Sequence, residues 1–137
     1  MRIVIGVALF ALGAVIVRGT AAEDGSTTAV ATTGEVMTYL VVPSSTAVFR
    51  AAAEAPREDK DWTAVRGQAL VLAEAGNLLV IGSRERAGDW TRMAVALREA
   101  AVAAVKAAEQ RDATALADAG ERVYETCEQC HQRHLQP

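Results

Sequence analysis

Residues 112–134 read DATALADAGERVYETCEQCHQRH. Behind Asp112, the positions Leu116, Ala119 or Gly120, Val123, Cys127, Cys130 and His134 follow one another at three- and four-residue steps. That is the repeat of one face of an α-helix, apolar in its first half and carrying thiols and imidazoles in its second. A helix with a single apolar stripe must bury it against other elements, so the fold is decided by what the chain offers upstream.

Upstream there are three more segments of the same period and no convincing strand. Trp90, Met93, Leu97, Ala100 or Ala101, Ala104 and Ala108 form a stripe from Trp90 to about Gln110, with Asp89 as a candidate N-cap. Trp62, Val65, Ala69, Leu72, Ala75 or Gly76, and Leu79 form another from about Trp62 to Ile81, behind Asp61. The triplet Asp-Trp-Thr opens both, at 61–63 and 89–91, and is read as a helix start with an aromatic anchor. The first segment runs from about Glu35 to Ala53. Thr32 and Glu35 have the spacing of a capping box. Val36, Leu40, Ala47 and Ala51 lie on one stripe, with Met37, Val41, Val48 and Ala52 beside it. Pro43 interrupts this helix by removing a donor and crowding the carbonyl of Tyr39, which predicts a kink. Residues 54–60 and 82–88 are polar connections. Four helices of about 20 residues, each roughly 30 Å long, joined by short loops, predict an all-α, antiparallel up-down-up-down four-helix bundle.

The N-terminus is a separate unit. Arg2 precedes an apolar run from Ile3 to Val17, and Thr20-Ala21-Ala22 offers small residues for cleavage. This is the anatomy of a secretory signal over residues 1–22; the run is shorter than the roughly 20 apolar residues of a spanning helix, which makes retention as an N-terminal anchor the weaker alternative. The chain is therefore expected in the periplasm, with no stable membrane insertion after cleavage. Residues 23–31 are read as a flexible leader, and 32–137 as one domain. Cleavage removes Arg2 and Arg18 and no acid, so the remaining 115 residues carry 12 Lys+Arg against 17 Asp+Glu, a net charge of −5. No basic face exists for nucleic acid.

The two cysteines sit three apart, with histidine next: Cys127-Glu128-Gln129-Cys130-His131. On a helix both thiols and the imidazole fall within about one turn. The ring edge of a haem needs two thiols for its vinyl groups, and its iron needs a nitrogen ligand. Cys-x-x-Cys-His is the signature of that attachment. The expected cofactor is one covalent haem c, held by Cys127 and Cys130, with His131 as proximal ligand. Three competing readings are weaker. A redox dithiol sits at a helix N-terminus after a strand. A structural zinc usually draws ligand pairs from two segments, whereas Cys127, Cys130, His131 and His134 occupy one. Chance matches to short motifs also occur. Aromatics make up only 4% of the chain, and the third helix is crowded with alanine. A buried haem or close-packed alanine helices would each account for that.

In an up-down bundle the end of helix four lies level with the starts of helices one and three. Met37 and Met93 are therefore both at haem level and both candidate distal ligands, or plain core packing. The chain resembles the class II c-type cytochromes, that is, cytochrome c-prime and its six-coordinate relatives. The resemblance rests on Cys127-x-x-Cys130-His131 near the end of helix four and Glu35-Val36-Met37 opening helix one. Only Arg133 is basic after the attachment site, fewer basic residues than is usual there. The resemblance implies a bundle with a C-terminal haem whose distal residue comes from helix one, which selects Met37. It implies a periplasmic carrier of single electrons between redox partner proteins. The alternatives are a five-coordinate gas-binding haem protein with Met37 only packing over the iron, or a haem-free dithiol or metal-binding helical protein. No nucleophile–base or carboxylate pair marks an enzyme. Arg50, Arg66, Arg92 and Arg98 are available to haem propionates, and pairing into a homodimer is compatible with the sequence.

Overall fold

Thr32 starts the first helix as the spacing predicts. In the computed structural model, which describes residues 27–135, its hydroxyl accepts from the Glu35 amide and the Glu35 carboxylate accepts from the Thr32 amide at 2.8 Å. Two orphan donors are thereby satisfied. The expected signal segment lies outside the described residues, as do residues 23–26 of the leader. Residues 27–31 are non-helical, and Ala31 is half-buried.

Helix α1 spans Thr33–Ala53 and contains a π-helical turn over Met37–Val41, where the Val42 amide reaches back five residues to the Met37 carbonyl. The changeover from five- to four-residue bonding falls on Pro43, the residue with no N–H to place. The interruption expected at Pro43 thus takes the form of a widened turn upstream of the ring. Ser44 is wholly buried, and its hydroxyl donates to the Leu40 and Val41 carbonyls around the changeover. The extra residue also moves the buried stripe. Val36, Val41 and Val48 are in the core, whereas Leu40 and Ala47, placed on the central stripe by a regular 3.6 period, are only half-buried. By length and composition α1 could cross a membrane, with mean hydropathy 1.2; here it packs as one of four.

Helix α2 is Asp59–Leu78, three residues earlier than the Trp62 start expected from the sequence. Glu58, not Asp61, occupies the N-cap, and Asp59 and Asp61 lie in the first turn, where acids are favoured by the helix dipole. Helix α3 is Trp90–Gln110 and helix α4 is Ala113–His134. Between them Arg111 adopts the left-handed conformation (φ 52°), and the Asp112 side chain caps α4 at the Ala115 amide, 2.9 Å. The predicted stripes of α2, α3 and the first half of α4 are buried as expected.

The helices pack in a ring, each against its sequence neighbours, with α1 also against α4. Contacts near their ends establish the antiparallel sense. Arg66 near the start of α2 pairs with Glu109 at the end of α3 at 2.8 Å. Asp89 at the start of α3 meets Arg133 and His134 at the end of α4. Ala52 near the end of α1 lies against Gly120 in the first half of α4. The fold is therefore all-helical among the described residues, four helices packed together.

Candidate haem site

At the end of the bundle where α1 and α3 begin and α4 ends, the core opens into an apolar cavity of about 20 Å³. Met37 and Val41 of α1, Met93, Ala94 and Leu97 of α3, and Thr126, Cys127, Cys130 and His131 of α4 line it, with Trp90 and Leu79. The positions that spacing singled out, Met37, Met93, Cys127, Cys130 and His131, thus border one space. Next to it runs a groove of about 320 Å³ shared by Met37, Trp90, Cys130 and His131 and continued by Thr38, Arg86 and His134. Met93 is buried, Met37 and both cysteines are half-buried, and His131 is exposed at the rim.

Both cysteines are free thiols. Burial, then the neighbouring Cys130, pushes the Cys127 thiol up; burial and the Asp89 charge push Cys130 up against the opposing pull of Arg86. A catalytic dithiol needs the opposite, a lowered pKa that exposes thiolate. Among the described residues, no three His, Cys, Asp or Glu side chains are grouped to hold a bare metal ion. The donor set instead suits a porphyrin: two thiols within one turn, an imidazole beside them, thioethers on the facing helices, and an apolar lining. The inner cavity holds no more than a water molecule. The outer groove reaches the lower end of the roughly 300–1,000 Å³ of small-molecule sites.

The walls are built by side chains that periodicity does not single out for this purpose. The Trp90 indole donates to the Leu79 carbonyl at 2.8 Å, tying the start of α3 to the segment after α2. His134 stands edge-on to Trp90, with ring centroids 5.1 Å apart, and Arg86 lies over the indole at 4.8 Å. Arg84 is buried (4% exposed) in a 3₁₀ turn, Gly82–Arg84. It donates to the Leu78 carbonyl at 2.6 Å and the Ala31 carbonyl at 2.7 Å, capping α2 and holding the chain ahead of α1. Of the arginines proposed for propionates, none lines these spaces. Arg66 pairs with Glu109 and Arg50 borders a groove at the far end. Arg92 pairs with Asp89 and Arg98 with Asn77. Arg86 is the arginine that does line the groove.

Asp89 occupies the N-cap of α3 as expected, but its carboxylate accepts no backbone N–H of that helix. It crosses to α4, taking Arg133 on Oδ2 and His134 on Oδ1 at 3.1 Å, with Arg92 also on Oδ2 at 3.0 Å. Partial desolvation pushes its pKa up, but the His134 hydrogen bond and the Arg133 and Arg92 charges outweigh this and lower it. No protein-family model, no curated protein and no solved structure matches the chain.

Proposed function

We propose that the chain is an exported mono-haem c-type cytochrome carrying single electrons in the periplasm, six-coordinate and similar to the class II cytochromes. The observation that carries this reading is that Met37, Cys127, Cys130 and His131, drawn from the two ends of the domain's sequence, border one apolar cavity. Cys127 and Cys130 would hold the haem through thioethers, His131 would bind the iron from α4, and Met37 would bind it from α1. Bound there, the haem supplies a one-electron ferric/ferrous couple.

The protein's own contribution is to position and to exclude. Burial favours the protonated form of both thiols, and each would join the haem through a thioether. A methionine thioether as sixth ligand favours ferrous iron and raises the potential. Val41, Ala94 and Leu97 bring only apolar surface to the cavity, which lowers the local dielectric. The ring is larger than the inner cavity, so holding it there would require Met37 and Met93, long unbranched side chains, to repack.

Absorption and spin-state spectra of the purified protein, beside Met37→Ala and Met93→Ala, test the reading. Low-spin ferric parent, high-spin Met37→Ala and low-spin Met93→Ala are expected. A high-spin parent unchanged by Met37→Ala, with immediate carbon monoxide binding in the ferrous state, would replace the electron carrier with a gas-binding protein.

A further inference from the structure

Asp89 holds the N-cap position of α3, yet its carboxylate accepts no backbone N–H there and reaches across to Arg133 and His134 in the closing turn of α4. That turn carries Cys130 and His131. The carboxylate is only 20% exposed, so its charge acts partly through protein and not through bulk water. Two arginines and a histidine converge on it, so its removal would leave Arg92 and Arg133 uncompensated beside the haem end of the bundle.

We propose that Asp89 is the positioning residue of the haem site: it clamps the turn bearing Cys130 and His131 to the start of α3, and its negative charge lowers the reduction potential of the iron. The proposal rests on the haem reading above. A carboxylate near the iron stabilises the ferric state, which carries one more positive charge, over the ferrous state. The thioether ligand acts in the opposite direction, so the two together set the potential. Arg92 tempers the carboxylate from the solvent side, since its own side chain is 66% exposed.

The test uses the exported holoprotein with its haem. Intact mass and the parent spectrum first establish covalent haem and Met37 ligation; a bare polypeptide mass overturns the haem reading and this proposal with it. Redox titrations then compare the parent with Asp89→Asn, Asp89→Glu and Arg92→Gln, the last being a surface change that leaves the clamp in place. Asp89→Asn should raise the ferrous:ferric ratio at fixed potential about tenfold, equivalent to 59 mV for a one-electron couple, while the spectrum stays low-spin. Asp89→Glu should return it to within about twofold of the parent. Arg92→Gln should shift it the other way, about two- to threefold, because less of the carboxylate's charge is neutralised. A merely structural Asp89 would change melting temperature in Asp89→Asn without moving the potential. An unchanged potential in Asp89→Asn, or in Arg92→Gln should Asp89→Asn not fold, overturns the proposal while leaving the haem reading intact.

Discussion

Gly120→Ala probes the close approach of α1 to α4. A Cβ at position 120 would lie 2.6 Å from the Cβ of Ala52. Carbon atoms rest at about 3.5–4.0 Å, so α1 and α4 would have to separate by roughly 1 Å. Neither atom can swing aside, because each is fixed to its own helix backbone. Overpacking of this kind costs about 1–3 kcal/mol, against a gain of about 1 kcal/mol for replacing glycine by alanine within a helix. The net expectation is a destabilisation of about 1 kcal/mol and a fall of a few degrees in melting temperature, about 4 °C for a domain of this size. Thermal melts followed by far-UV circular dichroism measure it. Adding Ala52→Gly removes the overlap, so the pair should show a favourable coupling of about 1–2 kcal/mol relative to the sum of the single changes. Gly120 lies eleven residues before His131, about 16 Å along the helix, so the haem spectrum should not change. A Gly120→Ala protein more stable than the parent by its full helix preference would refute the close approach.

Trp90→Phe removes the donor to the Leu79 carbonyl and should cost about 1–3 kcal/mol in chemical denaturation, because the acceptor is left buried and unpaired. Deleting Tyr39 turns the five-residue step from Val36 to Val41 into a four-residue step, keeping both buried but placing Pro43 in regular helix. The deletion should cost about 3 kcal/mol, and Pro43→Ala in the same chain should restore most of it. Glu35 is held below the ordinary carboxylate range by the Thr32 amide and then the Thr32 hydroxyl. A lowered folded-state pKa contributes stability above the unfolded value that is lost as pH falls through the folded one. The melting temperature should therefore decline on acidification through and below the carboxylate range, less steeply in Thr32→Ala.

Three of the four helices were legible because their periods run unbroken. Trp62 to Leu79, Trp90 to Ala108 and Leu116 to Val123 keep one face toward the core throughout. Helix α1 was legible only in its ends. A period of 3.6 cannot anticipate a turn of five, so Leu40 was placed on the central stripe that Val41 occupies. The start of α2 was expected at Trp62 behind Asp61, yet Asp59 and Asp61 suit a first turn, and the helix begins three residues earlier behind Glu58. Within the site, topology alone brought Met37 and Met93 to the level of Cys127 and Cys130, since short loops leave few arrangements for four helices. The walls were not legible. Arg84 and Arg86 lie in a connection with no period, and their partners are set by where α2, α3 and the chain ahead of α1 converge. Asp89 was identified by position as a cap, but the competing Arg133 and His134 lie 44 and 45 residues away. His134, which spacing placed only on the α4 stripe, contacts both Asp89 and Trp90.

The central claim is that Cys127 and Cys130 carry haem covalently. The direct measurement is the intact mass, under denaturing conditions, of the protein exported by a host able to attach haem c. The account predicts the mass of residues 23–137 plus one haem, reduced to the bare polypeptide in Cys127→Ala/Cys130→Ala. A parent protein with the bare polypeptide mass would contradict it.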